Sequence, residues 1–171
     1  MSAGKTAALA GNPNVGKSTI FNALTHLHQH TGNWPGKTVE LAMGTCRYKG
    51  EDVTLIDLPG TYSLVSKSQE DFISGGEAGC VIAVVDATNL ERSLILALQV
   101  LELTDRVFVC VNLMDEAQKQ HIAIDIPLLS HLLGVPVVPV AAGRGEGLER
   151  FLEQLRRILD GFERPHPRRL L

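Results

Sequence analysis

Cysteine is scarce in this chain, positive charge is not in excess, and long apolar runs are missing. Its three cysteines, Cys46, Cys80 and Cys110, are odd in number, widely spaced and set among apolar residues. That pattern excludes a disulfide framework or a cysteine metal cluster, and reads as reduced core thiols in a cytosolic protein. With 19 acidic against 16 basic residues the formal charge is −3, so the strong positive field that recruits nucleic acid is absent and no nucleic-acid partner is expected. No stretch approaches the ~18 apolar residues of a membrane helix. The N-terminus also lacks the apolar core of a signal peptide, so the chain itself is expected to be soluble. Internal repeats and low-complexity tracts are missing too, which excludes a repeat array. What remains is a 171-residue chain with 44% hydrophobic content, enough for one domain with its own core.

The segment Gly11-Asn-Pro-Asn-Val-Gly-Lys-Ser18 fits the phosphate-binding pattern G-x-x-x-x-G-K-[ST]. Such a loop wraps backbone N–H groups around a nucleotide's phosphates. Upstream, Ala7–Ala10 reads as a short buried strand, and downstream Ser18–Leu24 reads as the first turns of a helix. The helix N-terminus adds partial positive charge where the phosphates sit. Lys17 is expected to reach the outer phosphates, and the Ser18 hydroxyl to hold a magnesium ion.

Apolar runs of strand length alternate with helical patterns, the sign of a parallel sheet covered by helices on both faces. The expected fold is therefore a three-layer α/β domain of the P-loop NTPase kind. Six strands are predicted, at Thr6–Ala10, Gly44–Tyr48, Val53–Asp57, Cys80–Val85, Val107–Val111 and Val137–Val140. A turn signal between Tyr48 and Val53 makes the second and third an antiparallel hairpin, leaving one strand antiparallel in a mostly parallel sheet. Helices are predicted at Lys17–Leu24, Leu90–Leu103, around Pro127–Leu133 and at Glu146–Leu159, with the polar stretch Asp115–His121 open between helix and loop. The domain is expected to span residues 1–161, with residues 162–171 as a frayed tail or the start of a linker.

Two further motifs follow apolar strands. Asp57-Leu-Pro-Gly60 places an aspartate where a magnesium-organising carboxylate belongs in such a fold, and Gly60 lets a backbone N–H approach the terminal phosphate. Asn112-Leu-Met-Asp115 reads the base. Asp115 can accept from both a guanine ring N–H and the exocyclic amino group, a pair adenine does not offer. A helix N-cap pair would account for Asn112 and Asp115 taken alone; the order of the three motifs argues for guanine, with Asn112 tying this loop to the phosphate loop. A fourth element, Ala141-Ala142-Gly143, offers the Ala142 N–H to the guanine oxygen.

Together with Gly32-Asn-Trp-Pro-Gly-Lys-Thr-Val-Glu40, Asp57-Leu-Pro-Gly-Thr-Tyr-Ser-Leu64 and Val85-Asp-Ala-Thr-Asn-Leu-Glu-Arg92, this order resembles the N-terminal cytosolic G domain of the ferrous iron transport protein B family, one of the translation-factor-related GTPases. The resemblance runs from about Lys5 to Leu159. It implies a Ras-like G domain that binds GTP and GDP and switches between them. It also implies partners in the same longer protein: a helical domain that tunes nucleotide release, then a membrane domain that carries iron(II). The parent would then sit at the cytoplasmic face of the bacterial inner membrane, and a second copy through the G domain is a further candidate partner.

The nucleotide contacts expected in the loop and its helix are Asn12, Asn14, Val15, Gly16, Lys17, Ser18 and Thr19. Those expected further along are Gly36, Thr38, Asp57, Gly60, Asn112, Met114, Asp115 and Ala141–Gly143. Thr38, in a first switch loop, is implied to complete the magnesium shell with Ser18 and Asp57. The second switch runs from Gly60 to about Phe72. Position 61 holds a threonine, too short to orient the attacking water as a glutamine does there in Ras-like enzymes. Asn14 supplies the alternative implied by related GTPases, a potassium ligand whose ion stands where an arginine finger acts. Lys17, Asn14, Thr38 and Gly60 are thus the expected catalytic set for slow, potassium-stimulated GTP hydrolysis regulating ferrous iron uptake. Two alternatives stand beside it: a nucleotide-binding regulatory module with negligible turnover, and a stand-alone GTPase of ribosome assembly or RNA modification. His26, His28 and His30 alternate along the chain without ligand carboxylates beside them, so no iron site is assigned there.

Overall fold

The computed structural model describes residues 5–26, 29–33, 40–60 and 65–169. Its sheet is built on strands that are apolar on both faces. In β1 (Lys5–Gly11), Ala7 and Leu9 enter one core cluster while Ala8 and Ala10 enter the other. The same alternation divides β5 (Cys80–Asp86) and β6 (Val107–Asn112), every residue of which is buried except Asp86. Strands covered on both sides need this composition, because the period-2 pleat sends alternate residues to opposite layers.

With β2 (Gln29–Asn33), β3 (Glu40–Tyr48), β4 (Glu51–Asp57) and β7 (Val137–Pro139) the sheet has, among the described residues, seven strands in the order β2-β3-β4-β1-β5-β6-β7. Pairs from β4 to β7 are parallel; β3 is antiparallel to both of its neighbours, so it alone runs against the rest. The hairpin from β3 to β4 turns on Lys49 and Gly50, both at positive φ (49° and 80°), as a two-residue type I′ turn requires.

The six-strand expectation is corrected by β2, which pairs with β3 from Gln29↔Gly44 to Asn33↔Glu40. This edge strand is polar and held by backbone hydrogen bonds, so no apolar alternation announces it. It also lengthens β3 to nine residues, from Glu40 instead of Gly44. His30 therefore belongs to β2, while His26 caps the first helix.

One face is covered by α1 (Lys17–Thr25) and α6 (Leu148–Leu159), through Ile20, Phe21, Leu24, Phe151, Leu155 and Ile158. Phe108 of β6 meets Phe151 edge-on with ring centroids 5.2 Å apart. The other face carries α2 (Lys67–Ser74), α3 (Leu90–Leu103), α4 (Met114–Lys119) and α5 (Ile126–Leu133). Helix α2 was not expected. Its signal is a short capping pattern, Ser66 followed by Gln69, with the Ser66 hydroxyl accepting from the Gln69 N–H at 3.3 Å. Helix α4 resolves the ambiguous polar stretch as one short helix followed by a loop. Helix α6 starts two residues later than expected, because Gly145 and Gly147 adopt left-handed φ of 70° and 82°. Among the described residues no helix is long and apolar enough to cross a membrane.

Residues beyond Gly161 depart from a frayed end. The His166 N–H donates to the Gly134 carbonyl (3.2 Å) and the Arg168 N–H to the Leu133 carbonyl (2.8 Å), while Arg169 bonds the Leu101 carbonyl and pairs with Asp105. At the end of the sheet where β1 begins, Lys5, Glu51, Arg156 and Asp160 form a four-charge network. Arg156, then Lys5, hold the Glu51 carboxyl below its usual range, and Lys5 does the same for Asp160.

Candidate nucleotide site

The motifs expected from the sequence meet at the carboxyl edge of the parallel strands, where open α/β sheets bind their ligands. β1 delivers the Gly11–Ser18 loop, β4 delivers Asp57–Gly60, and β6 delivers Asn112–Asp115. A cavity of ≈440 Å³ there is lined by Asn12, Pro13, Asn14, Gly16, Lys17, Ser18 and Gly60.

Lys17 opens α1 and is 8% exposed. Its ammonium pairs with the Asp57 carboxylate and donates to the Leu58 carbonyl at 2.7 Å. A buried cation needs such partners, because burial without them costs several kcal/mol. The Leu58 N–H in turn donates to the Leu9 carbonyl at 3.0 Å, fixing the start of the Asp57–Gly60 turn onto β1. Gly60 lies directly against the phosphate loop: an added Cβ would meet the Pro13 nitrogen at 3.1 Å and the Gly11 carbonyl oxygen at 3.3 Å. Any side chain here would therefore displace the loop backbone.

Within the loop, Asn14 holds a left-handed φ of 70° and Gly16 one of 82°. Asn14 tolerates this better than most non-glycine residues. The exposed hydroxyl of Ser18 and the carboxylate of Asp57 both lie at this end of the sheet. Oxygen donors of this kind suit magnesium.

Asn112 is 1% exposed and spans two loops. Its Nδ2 donates to the Val15 carbonyl (3.0 Å), and its Oδ1 accepts from the Ala142 N–H (3.1 Å). The Ala142 N–H, the group expected to meet a guanine oxygen, here braces Asn112. Leu113 turns left-handed (φ 65°), and the Met114 N–H donates to the Val140 carbonyl at 3.2 Å, so Asp115 stands in the first turn of α4 beside the Ala141–Gly143 loop. That loop is closed by the reciprocal pair between Ala141 and Glu146, and Gly143 stays exposed. Gly36 and Thr38, with Trp34, Lys37 and Thr61, lie outside the described residues.

Two features were not found from the sequence. Asp86, Asn89, Arg92 and Ser93 line a second cavity of ≈200 Å³ with Asn12–Val15. The run Val85–Arg92 carries a family likeness in sequence, but its approach to the phosphate loop depends on the β1–β5 pairing. The other is Gln69 of α2, whose Nε2 donates to the Pro59 carbonyl at 2.7 Å.

Residues 5–155 match the family model described as ferrous iron transport protein B. The chain is 48% identical over 153 residues to the Fe(2+) transporter FeoB of Salmonella typhimurium, which covers 84% of this chain and 20% of that protein. It thus spans about a fifth of the length of the curated relatives it matches. Among solved structures, the cytosolic domain of the T. maritima FeoB iron transporter in a GDP form superposes with a TM-score of 0.85 at 44% identity, over 92% of this chain and 64% of that one. Its GMPPNP form gives 0.83 at 42% identity, over 98% and 67%. The FeoB G-domain from Methanococcus jannaschii gives 0.78 at 38% identity, over 92% and 98%.

Proposed function

The chain belongs to the ferrous iron transport protein B family, and from that premise we propose that it binds GTP and GDP, hydrolyses GTP slowly, and regulates iron(II) passage through the membrane part of a longer protein. The observation that carries this reading is the convergence of Lys17, Asp57 and Gly60 at the phosphate loop, with Asn112 holding that loop to the strand that presents Asp115.

Phosphoryl transfer to water asks little covalent chemistry of a protein; positioning and charge neutralisation do most of the work. In this reading Lys17 exchanges Asp57 for the outer phosphate oxygens, and the loop amides and the α1 N-terminus hold the rest. Ser18, Asp57 and Thr38 would hold magnesium, which when bound neutralises charge between the outer phosphates. The Asn14 amide oxygen would ligate potassium. Asp115 selects guanine because a wrong base leaves its carboxylate without donors. Thr61 cannot orient water, so turnover depends on backbone groups of the first switch and is slow.

Thr61 is also the specific observation that favours a second reading, a module in which nucleotide binding alone carries the signal. Phosphate release from GTP, measured in potassium against sodium chloride, separates the two. The expected result is faster release in potassium. Equal, near-background release in both salts would remove the catalytic claim and leave the binding module.

A further inference from the structure

Gln69 is a polar residue in a place where polarity needs a reason. It lies in the first turn of α2, is 7% exposed, and its side chain does not return to the helix N-terminus as a capping glutamine would. Its Nε2 instead reaches back ten residues and donates to the Pro59 carbonyl oxygen at 2.7 Å. A second glutamine acts on the far flank of the same segment, where Gln99 of α3 accepts from the Val65 N–H at 2.9 Å.

The Pro59 carbonyl and the Gly60 N–H are two ends of one peptide unit. That unit is planar and trans, so its C=O and N–H point in opposite directions. Holding the carbonyl toward α2 therefore aims the Gly60 N–H away from α2. The residues on either side are fixed as well. Leu58 is anchored by its N–H to Leu9 and by its carbonyl to Lys17, and Gly60 is pressed against the backbone of Pro13 and Gly11. The Gln69 bond is what determines the rotation of the peptide between these two fixed points. Glycine on its C-terminal side leaves that rotation otherwise inexpensive.

We propose that Gln69 is a positioning residue that latches the Pro59–Gly60 peptide and thereby directs the Gly60 N–H at the terminal phosphate of a bound nucleoside triphosphate. This rests on the nucleotide reading above and adds to it a discriminator between triphosphate and diphosphate. The latch lies outside the phosphate loop, and Gln69 is not among the residues that line the cavity there. A diphosphate has no oxygen for the Gly60 N–H to meet, so loss of the latch weakens one nucleotide and spares the other.

The test is equilibrium binding of GDP and of a non-hydrolysable GTP analogue to wild type, Gln69→Met and Gln69→Glu. Met keeps the volume and removes the donor; ionised Glu keeps the shape and turns an acceptor toward Pro59. Both variants are expected to weaken the analogue about tenfold, the worth of one hydrogen bond to a charged oxygen, while GDP changes less than about twofold. GDP binding on the same samples reports folding, and Q69E carries the test if Q69M loses GDP. Analogue affinity that is unchanged, tightened, or weakened in step with GDP overturns the latch alone. Wild-type protein that binds neither nucleotide overturns the nucleotide reading and the latch with it.

Discussion

Asn112 shows how one side chain organises a site made of three separate loops. Its amide satisfies the Val15 carbonyl of the phosphate loop and the Ala142 N–H of the last loop at once, in a place with no access to water. Gly16 makes room for it. A Cβ on Gly16 would sit 2.1 Å from the Asn112 Nδ2, at a φ of +82° that costs other residues about 1–2 kcal/mol. Gly16→Ala is therefore expected to push the amide off both partners. Leaving buried polar groups unpaired adds about 1–3 kcal/mol, so a total loss of about 2–5 kcal/mol is expected in urea unfolding. GDP affinity should fall at least tenfold in the same protein. A variant with wild-type stability and affinity would show that the bridge does not hold the site.

At the scale of elements, the end of α5 and the segment after α6 depend on each other. Gly134 ends α5 in a left-handed conformation (φ 76°), and its carbonyl accepts the His166 N–H. A Cβ there would meet the His166 carbonyl oxygen at 2.3 Å and the Arg168 nitrogen at 3.1 Å. Gly134→Ala should strain the helix cap and also dislodge residues 163–169, at a cost of about 1–2 kcal/mol from the backbone alone. Limited proteolysis with trypsin reads this directly: cleavage after Arg168 or Arg169 should become rapid while the rest of the domain resists. Cleavage rates equal to wild type would mean that the segment is held elsewhere.

The elements also show why some of the structure was legible in the sequence and some was not. β1, β5 and β6 declare themselves because their central residues are buried on both faces and must be apolar. The phosphate loop and Asn112–Asp115 are legible because their chemistry lies in contiguous residues. β2 is not, since Gln29–Asn33 is an edge strand held by backbone bonds to β3 and carries no apolar pattern. The docked segment was hidden for a different reason. Arg169 finds its partner Leu101 68 positions away, and nothing local to its prolines and arginines signals that contact.

Across the whole molecule, the three thiols report on the integrity of the layers. All are free and buried among the residues that pack α1 and α6 onto the sheet. Burial raises the Cys46 thiol from 9.0 to about 11, and pushes Cys80 and Cys110 higher still. An unfolded thiol ionises earlier than the folded one, so the stability held by the neutral thiols is complete below pH 9.0 and is lost as pH rises toward about 11. Native protein near pH ~8 should accordingly label slowly with iodoacetamide, because the thiolate is the nucleophile. Unfolded protein should take up three labels, and its urea midpoint should fall progressively above pH 9.0. Rapid native labelling would contradict the layered core.

The sequence by itself determined the layered α/β class, the single reversed strand, the phosphate-loop pattern, the Asn112–Asp115 motif and the family. Each of these is encoded in contiguous residues or in the periodicity of a single element. Only the tertiary structure decided the seventh strand, the pairing of Lys17 with Asp57, the use of the Ala142 N–H by Asn112, and the hold of Gln69 on Pro59. Those are contacts between atoms of different segments, backbone or side chain. No local pattern specifies them, because which donor finds which acceptor depends on distances that exist only once the layers have packed.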